Sequence, residues 1–149
     1  QGEATFIMND FCDVALAVEA DGVHLGQDDL PLAEARNILG KDRLIGISTP
    51  TIEQAKEAEK DGADYIGFGP MYHTKTKDTG RAPLGPNAAR ELRDQISIPI
   101  FGIGGINRTN IAELRATGMN GISVLSAVLQ APEVDVTVKR FITAWFAQR

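Results

Sequence analysis

Short apolar runs alternate with amphipathic stretches along the whole chain. The runs 4–8, 23–25, 44–47, Tyr65–Phe68, 98–103 and 122–125 predict strands, each stopped by Gly, Asn, Asp or Ser. Between them the apolar spacing predicts helices. One covers 12–20, with Val14, Leu16, Ala17 and Val18 apolar, and stops at Asp21-Gly22. A second opens with Pro31 in its first turn and carries Leu32, Ala35, Ile38 and Leu39 on one face. Thr51 is placed to cap a helix over Ile52–Lys60, with Gly62 just past its end. Further helices are predicted over 87–95, from Asn107 or Thr109 to near Gly118, and over 134–147.

The pattern is six β-α units of roughly 20–30 residues each, with strands mostly apolar on both faces, as in a parallel sheet covered by helices. A weak internal echo supports repeated units. Ala20-Asp-Gly-Val-His-Leu-Gly26 resembles Ala63-Asp-Tyr-Ile-Gly-Phe-Gly69, and Gly118-Met-Asn-Gly-Ile-Ser-Val124 is a looser third copy. Each leads from a helix end through Asp or Asn into a strand. Pattern alone leaves two architectures open, a doubly wound open sheet and a (β/α)8 barrel. No composition shift marks a domain boundary, so the 149 residues read as one domain.

Chemistry concentrates after the strands. Tyr65–Phe68 breaks at Gly69-Pro70 and empties into Thr74-Lys-Thr-Lys77, where hydroxyls and ammonium groups could donate to an anion. Alone, such a tetrapeptide is equally a solvated loop. A second strand ends in Gly102-Ile-Gly-Gly-Ile106, and a double glycine before a helix lets backbone N–H groups face an anion. Asn9-Asp10, Gln27-Asp28-Asp29, Ser48-Thr49 and Ser126 also follow strand ends. Singly, Asp10 or Asp29 reads as a helix cap and Ser48-Thr49 as turn chemistry. Together, two separated carboxylates, a Thr/Lys loop and a double glycine point to Mg²⁺ plus phosphate. His24 reads as a packed core histidine, and His73, on the loop, as the better candidate for ligand contact.

Composition narrows the field. A net charge of -5 gives no basic surface for nucleic acid, so an anionic ligand must be held by local charges. The single cysteine, Cys12, excludes an intramolecular disulfide framework and fits a reducing cytoplasm. No run approaches the ~20 apolar residues of a membrane span, and no signal peptide is visible. The chain opens on Gln1 directly before a strand, which reads as part of a longer polypeptide.

The motifs carry a resemblance. Asn9-Asp10, Ala20-Asp-Gly-Val-His-Leu-Gly-Gln-Asp-Asp29, Gly46-Ile-Ser48, Gly67-Phe-Gly-Pro70, Thr74-Lys-Thr-Lys77, Gly102-Ile-Gly-Gly-Ile106 and Ser123-Val-Leu-Ser126 are similar to those of thiamine-phosphate synthase, in the family's order and spacing. The Thr-x-Thr-Lys loop joined to Gly-Gln-x-Asp is the specific part. The resemblance implies a (β/α)8 barrel whose first two β-α units are absent from this chain. It implies a transferase of thiamine biosynthesis, joining 4-amino-2-methyl-5-hydroxymethylpyrimidine diphosphate to 4-methyl-5-(2-hydroxyethyl)thiazole phosphate by a Mg²⁺-assisted dissociative mechanism.

Residue by residue, the resemblance implies that Asp10 and Asp29 coordinate Mg²⁺, with Asn9 beside the pyrimidine diphosphate. Ser48 and Lys77 contact the diphosphate leaving group. Thr74, Thr76, the backbone of Gly105 and the Leu125-Ser126 turn bind the thiazole phosphate. Three departures stand out. The absent units carry a Gln-x-Arg-x-Lys motif, Pro50 stands where many members have His, and His73 stands where Pro is usual. The first implies that these 149 residues alone are not a working enzyme. Open edge strands would recruit other chains, so a homo-oligomer or aggregate is expected. Rival readings are a thiazole tautomerase-like isomerase, whose relatives typically lack the Thr-x-Thr-Lys loop, and a non-catalytic phosphate-binding module derived from the barrel.

Overall fold

The computed structural model describes residues 4–74, 76 and 80–147. Six parallel strands are hydrogen-bonded strictly in chain order, β1 to β6, and the sheet curls as part of a barrel. They are β1 (Ile7–Asn9), β2 (Gly22–Leu25), β3 (Leu44–Thr49), β4 (Tyr65–Phe68), β5 (Ile100–Ile103) and β6 (Gly121–Ser123). Helices α1 (Cys12–Ala17), α2 (Leu32–Leu39), α3 (Ile52–Lys60), α4 (Gly85–Arg93) and α5 (Ile111–Arg115) connect them, and α6 (Ser126–Leu129) and α7 (Val134–Phe146) close the chain. Sequential parallel order is that of neighbouring barrel staves, and not of a doubly wound sheet, whose order reverses at a switch point. None of the described helices is long and apolar enough to cross a membrane.

One side of the sheet is almost wholly apolar and covered by helices. Val23, Leu25, Ile45, Ile47, Ile66, Phe68 and Ile100 are buried with Ala15, Ala35, Ala55, Ala58 and Ala89 of the covering helices. Alanines on the helices let them approach the sheet closely. The alternate positions Asn9, His24, Ser48, Tyr65, Phe101, Ile103 and Ser123 are half-buried or exposed on the opposite face. There Tyr65 lies over Gly46, its cross-strand neighbour, where any Cβ would collide with the phenol ring. Phe101 lies over Gly121 in the same way. The expectation of strands apolar on both faces therefore holds for one face, and the other carries rings and polar groups.

Several predicted boundaries move for identifiable reasons. Strand β1 starts at Ile7, later than expected, because both polar backbone groups of Phe6 go to Asp21. Its N–H donates to Asp21 Oδ2 at 2.7 Å, and its carbonyl accepts the Asp21 N–H at 2.9 Å. The same reciprocal pair joins Ile45 to Asp64, at 2.7 and 2.9 Å. It joins Ile100 to Asn120 at 3.0 and 2.9 Å. These three clamps are the sequence echo in physical form. At each, a side-chain oxygen just before one strand receives an N–H from the beginning of the strand before it, or from the residue preceding it. Glu59 of α3 adds an acceptor for the N–H groups of Ser97 and Ile98, so β5 starts at Ile100 and not at 98.

Helix boundaries follow their caps. Thr51 Oγ1 accepts the Gln54 N–H at 3.2 Å, as its position predicts. Helix α4 begins two residues early, at Gly85, since Pro86 in its first turn needs no N–H partner. Helix α5 is short because Asn107 and Asn110 spend their side chains on the preceding loop. Helix α6 has only four residues, too few to show a period, and was not expected.

The clamp at Asp64 is the most heavily used, since Oδ2 also receives Arg36 at 2.6 Å. Asp64→Ala should cost about 2–3 kcal/mol, leaving a backbone N–H and a half-buried guanidinium without their acceptor. Thermal unfolding followed by circular dichroism should show a midpoint roughly 4–10 °C lower. Asp64→Asn, which keeps an acceptor, should lose less, and an unchanged midpoint in Asp64→Ala would contradict the clamp.

Candidate active site

With strand starts fixed by the clamps, the carboxyl ends of six parallel strands fall at one rim of the sheet. Asn9 ends β1 and is exposed, in register with His24. Asp10 follows at a positive φ of 67°, with its N–H donating to the His24 carbonyl at 2.9 Å. Asp29 folds back on the end of β2, and its Oδ2 accepts the Gly26 N–H at 2.6 Å. Asp10, through its backbone, and Asp29, through its carboxylate, therefore both adjoin the end of β2. Asp29 also acts electrostatically on His24 and on Cys12. Among the described residues no group of three His, Cys, Asp or Glu is placed to hold a metal ion.

Ser48, near the end of β3, is held from two sides. Its Oγ lies 2.9 Å from His24 Nε2, and its carbonyl accepts Gln27 Nε2 at 2.7 Å. Gln54 Nε2 in turn donates to Gln27 Oε1 at 2.9 Å. The next residue points to the other face, where buried Thr49 donates its Oγ1 to the Gly67 carbonyl at 3.3 Å. His24 is thus not a packed core histidine. Its Nδ1 lies 3.1 Å from the Tyr65 hydroxyl, so the imidazole bridges β3 and β4. Gly67 makes room for it, since a Cβ there would stand 3.2 Å from His24 Cε1. Burial lowers the His24 pKa from its ordinary value, with the Asp29 carboxylate pulling the other way. The Tyr65 hydroxyl is pushed up to about 12, by burial first and by the Asp64 carboxylate second. Simple alternation in Val23-His24-Leu25 was the available signal, because two core residues flank a side chain that must face the opposite side.

A second cluster forms after β4, β5 and β6. Gly104 and Gly105 both have positive φ, 92° and 65°. A Cβ on Gly105 would collide with the His73 carbonyl oxygen, so the double glycine packs directly against the start of the Thr/Lys loop. Asn110 Nδ2 holds the Gly105 carbonyl at 3.0 Å. Tyr72 anchors the loop base. Its N–H donates to the Gly104 carbonyl at 3.0 Å and its hydroxyl to Glu113 Oε2 at 3.1 Å. Beyond it, the Thr76 N–H donates to Thr74 Oγ1 at 3.2 Å, and Thr76 Oγ1 donates to Ser126 Oγ at 3.0 Å. Leu125 is exposed and caps the start of α6. Thr74, Thr76, Gly105 and Ser126, 52 residues apart in sequence at their extremes, are therefore neighbours. His73 is exposed and serves this cluster through its backbone. Lys75 and Lys77 lie outside the described residues.

Two groups of hydroxyls and amides thus stand at one rim, with Asp10 and Asp29 near the first. Residues 1–128 match the family described as thiamine monophosphate synthase. The chain belongs to the thiamine-phosphate synthase family. A thiamine-phosphate synthase of Methanospirillum hungatei is 50% identical over 95% of this chain and 68% of its own length. Another, from Moorella thermoacetica, is 48% identical over 92% of this chain and 65% of its own. The structure of a thiamine phosphate pyrophosphorylase from Pyrococcus furiosus superimposes with a TM-score of 0.87 at 39% identity, covering 95% of this chain and 67% of that one. The chain thus spans about two thirds of the length of these relatives, here from the M. hungatei protein's 68% to the M. thermoacetica protein's 65%.

Within this family member the double glycine is a sharp structural requirement. Gly105→Ala must place a side chain at positive φ and against the His73 carbonyl, which should cost about 2 kcal/mol or more. Amide chemical shifts should move from Tyr72 to Thr76 together with a lower unfolding midpoint. Spectra superimposable on those of the unaltered chain would contradict the packing.

Proposed function

We propose that this chain is the greater part of a thiamine-phosphate synthase barrel, a single domain. It would transfer the hydroxymethylpyrimidine group from its diphosphate to the nitrogen of the thiazole phosphate. The observation that carries the reading is the convergence of the Thr/Lys loop, the Gly104-Gly105 turn and Ser126 at the rim that also holds Ser48, Asp10 and Asp29. In this reading Thr74, Thr76, Ser126 with Leu125, and the backbone of Gly105 bind the thiazole phosphate. Asn9, Ser48 and Lys77 bind the pyrimidine diphosphate, and Lys77 and Ser48 stabilise charge developing on the leaving group. Such a reaction needs positioning and charge stabilisation rather than a protein nucleophile.

The donor set suits Mg²⁺. Asp10 and Asp29 are hard oxygen donors at adjacent strand ends, and Mg²⁺ takes few protein ligands when phosphates and water complete its shell. Asp10 and Asp29 would hold the ion, which when bound neutralises negative charge on the diphosphate. Asp10→Asn and Asp29→Asn should each raise the Mg²⁺ concentration giving half-maximal activity while leaving the unfolding midpoint nearly unchanged. Equal half-saturation in both variants would count against these ligands.

The same reading assigns the sheet's uncovered sides to two further β-α units. On one side Phe6 before β1, Val14 of α1 and the residues flanking that helix, Phe11 and Val18, are exposed; on the other, α6 and α7 expose Leu129, Ile142 and Phe146. An eight-stranded barrel has tied diameter and shear, so six strands cannot close it in the usual geometry. The working protein would bind small phosphorylated substrates in a reducing cytoplasm, consistent with unpaired, buried Cys12. Expressing the chain with and without a family segment supplying two β-α units tests this. The extended protein should be a soluble species that makes thiamine phosphate, and the short chain should self-associate without turnover. In the extended protein Lys77→Ala should reduce turnover by about 10²–10³. Lys75→Ala should change it far less. A short chain that is monomeric and active would overturn the assignment of missing units, and near-normal turnover in Lys77→Ala would overturn that residue's role.

A further inference from the structure

The hydrogen-bonded row Tyr65–His24–Ser48 runs along the open face of β4, β2 and β3, and each member can donate or accept. A neutral imidazole carries one proton, so the two ring nitrogens must play opposite parts. Two arrangements satisfy the geometry. Either Tyr65 donates to Nδ1 and Nε2–H donates to Ser48, or Ser48 donates to Nε2 and Nδ1–H donates to Tyr65.

The chemistry of the two hydroxyls separates these arrangements. A phenol, with an ordinary pKa of about 10, is a much stronger acid than an aliphatic hydroxyl and is the stronger donor. Burial favours the protonated Tyr65 phenol. Tyr65 is also fixed in place. Its ring lies over Gly46 and meets Phe101 edge-on, with centroids 5.5 Å apart at 83°. The hydroxyl therefore reaches His24 from a rigid base, while Ser48 sits at the half-open rim. We propose that Tyr65 is a positioning residue. Its hydroxyl donates to His24 Nδ1, which fixes the proton on Nε2, and Nε2–H donates to Ser48 Oγ. With a lone pair of Ser48 so occupied, its own proton is turned outward, away from the imidazole.

The consequence rests on the proposed function: an outward O–H is a donor aimed at an anionic oxygen at the rim. With the opposite tautomer, Ser48 would present only lone pairs and would repel that anion. Tyr65 thus controls a donor two hydrogen bonds away without touching the ligand.

The tautomer is directly measurable. Two-dimensional ¹⁵N–¹H spectra of the uniformly labelled chain, recorded at a pH where the ring is neutral, should show His24 protonated at Nε2 and bare at Nδ1. In Tyr65→Phe, which keeps the ring over Gly46, that preference should be lost. In Ser48→Ala, which keeps the Tyr65 contact, it should persist. A wild-type ring protonated at Nδ1, or a tautomer that follows Ser48 and ignores Tyr65, would overturn the proposal. If the phenylalanine variant fails to fold, the wild-type and Ser48→Ala spectra still decide it. In the protein extended by the family segment, Tyr65→Phe should lower kcat roughly fivefold, the worth of one misdirected hydrogen bond, with KM for the thiazole phosphate unchanged. These spectra need no turnover, so an inactive protein would count against the functional reading alone.

Discussion

The structure depends on where each strand begins. Asp21, Asp64 and Asn120 each bind both backbone groups of a residue at or just before the start of the neighbouring strand. In a sheet of period two, slipping one residue would exchange the helix-covered face for the open one. The clamps remove that freedom at three of the five strand pairings. They lie at the opposite end of the sheet from the candidate site, yet they decide which residues reach it. His24, Ser48 and Tyr65 are bonded across strands because the sheet is in register from its other end.

Among the described residues, the rim is built from hydroxyls, amides, backbone N–H groups and two carboxylates. A chain of net charge -5 holds its anion-facing elements apart from its acidic ones. Thr74, Thr76, Ser126 and the double glycine sit after β4 to β6, while Asp10 and Asp29 sit after β1 and β2. Ser48, on β3, stands between them. The arrangement places two carboxylates toward one end of the edge and hydroxyls with a double glycine toward the other, as the proposed function requires. Gln27, after β2, ties the Ser48 carbonyl to Gln54 of α3.

Much of this was legible in the residues, and the exceptions have physical causes. Strand and helix order followed from periodicity, and β4 over Tyr65–Phe68 matched its predicted bounds because Gly69-Pro70 ends it sharply. The Thr51 cap was readable because capping is local. The neighbourhood of Thr76 and Ser126 was implied by family resemblance but not by spacing, since a contact across 50 residues leaves no local pattern. His24 was misread because its role lies in partners 24 and 41 residues away. Asn107 or Thr109 was the expected helix start, but the side chains of Asn107 and Asn110 instead bond within the loop that follows Gly105. Helix α5 lost its first turn to that competition.

The rings on the open face carry a historical consequence. Tyr65 occupies the space that a side chain at Gly46 would need, and Phe101 does the same at Gly121. Neither partner can change alone: a methyl at either glycine collides, and a small residue in place of either ring leaves a void. Each pair is therefore expected to drift through sequence space as a unit, large beside absent or medium beside medium. In descendants of this chain, a side chain at 46 should signal a lost phenol at 65, and with it a different way of orienting Ser48.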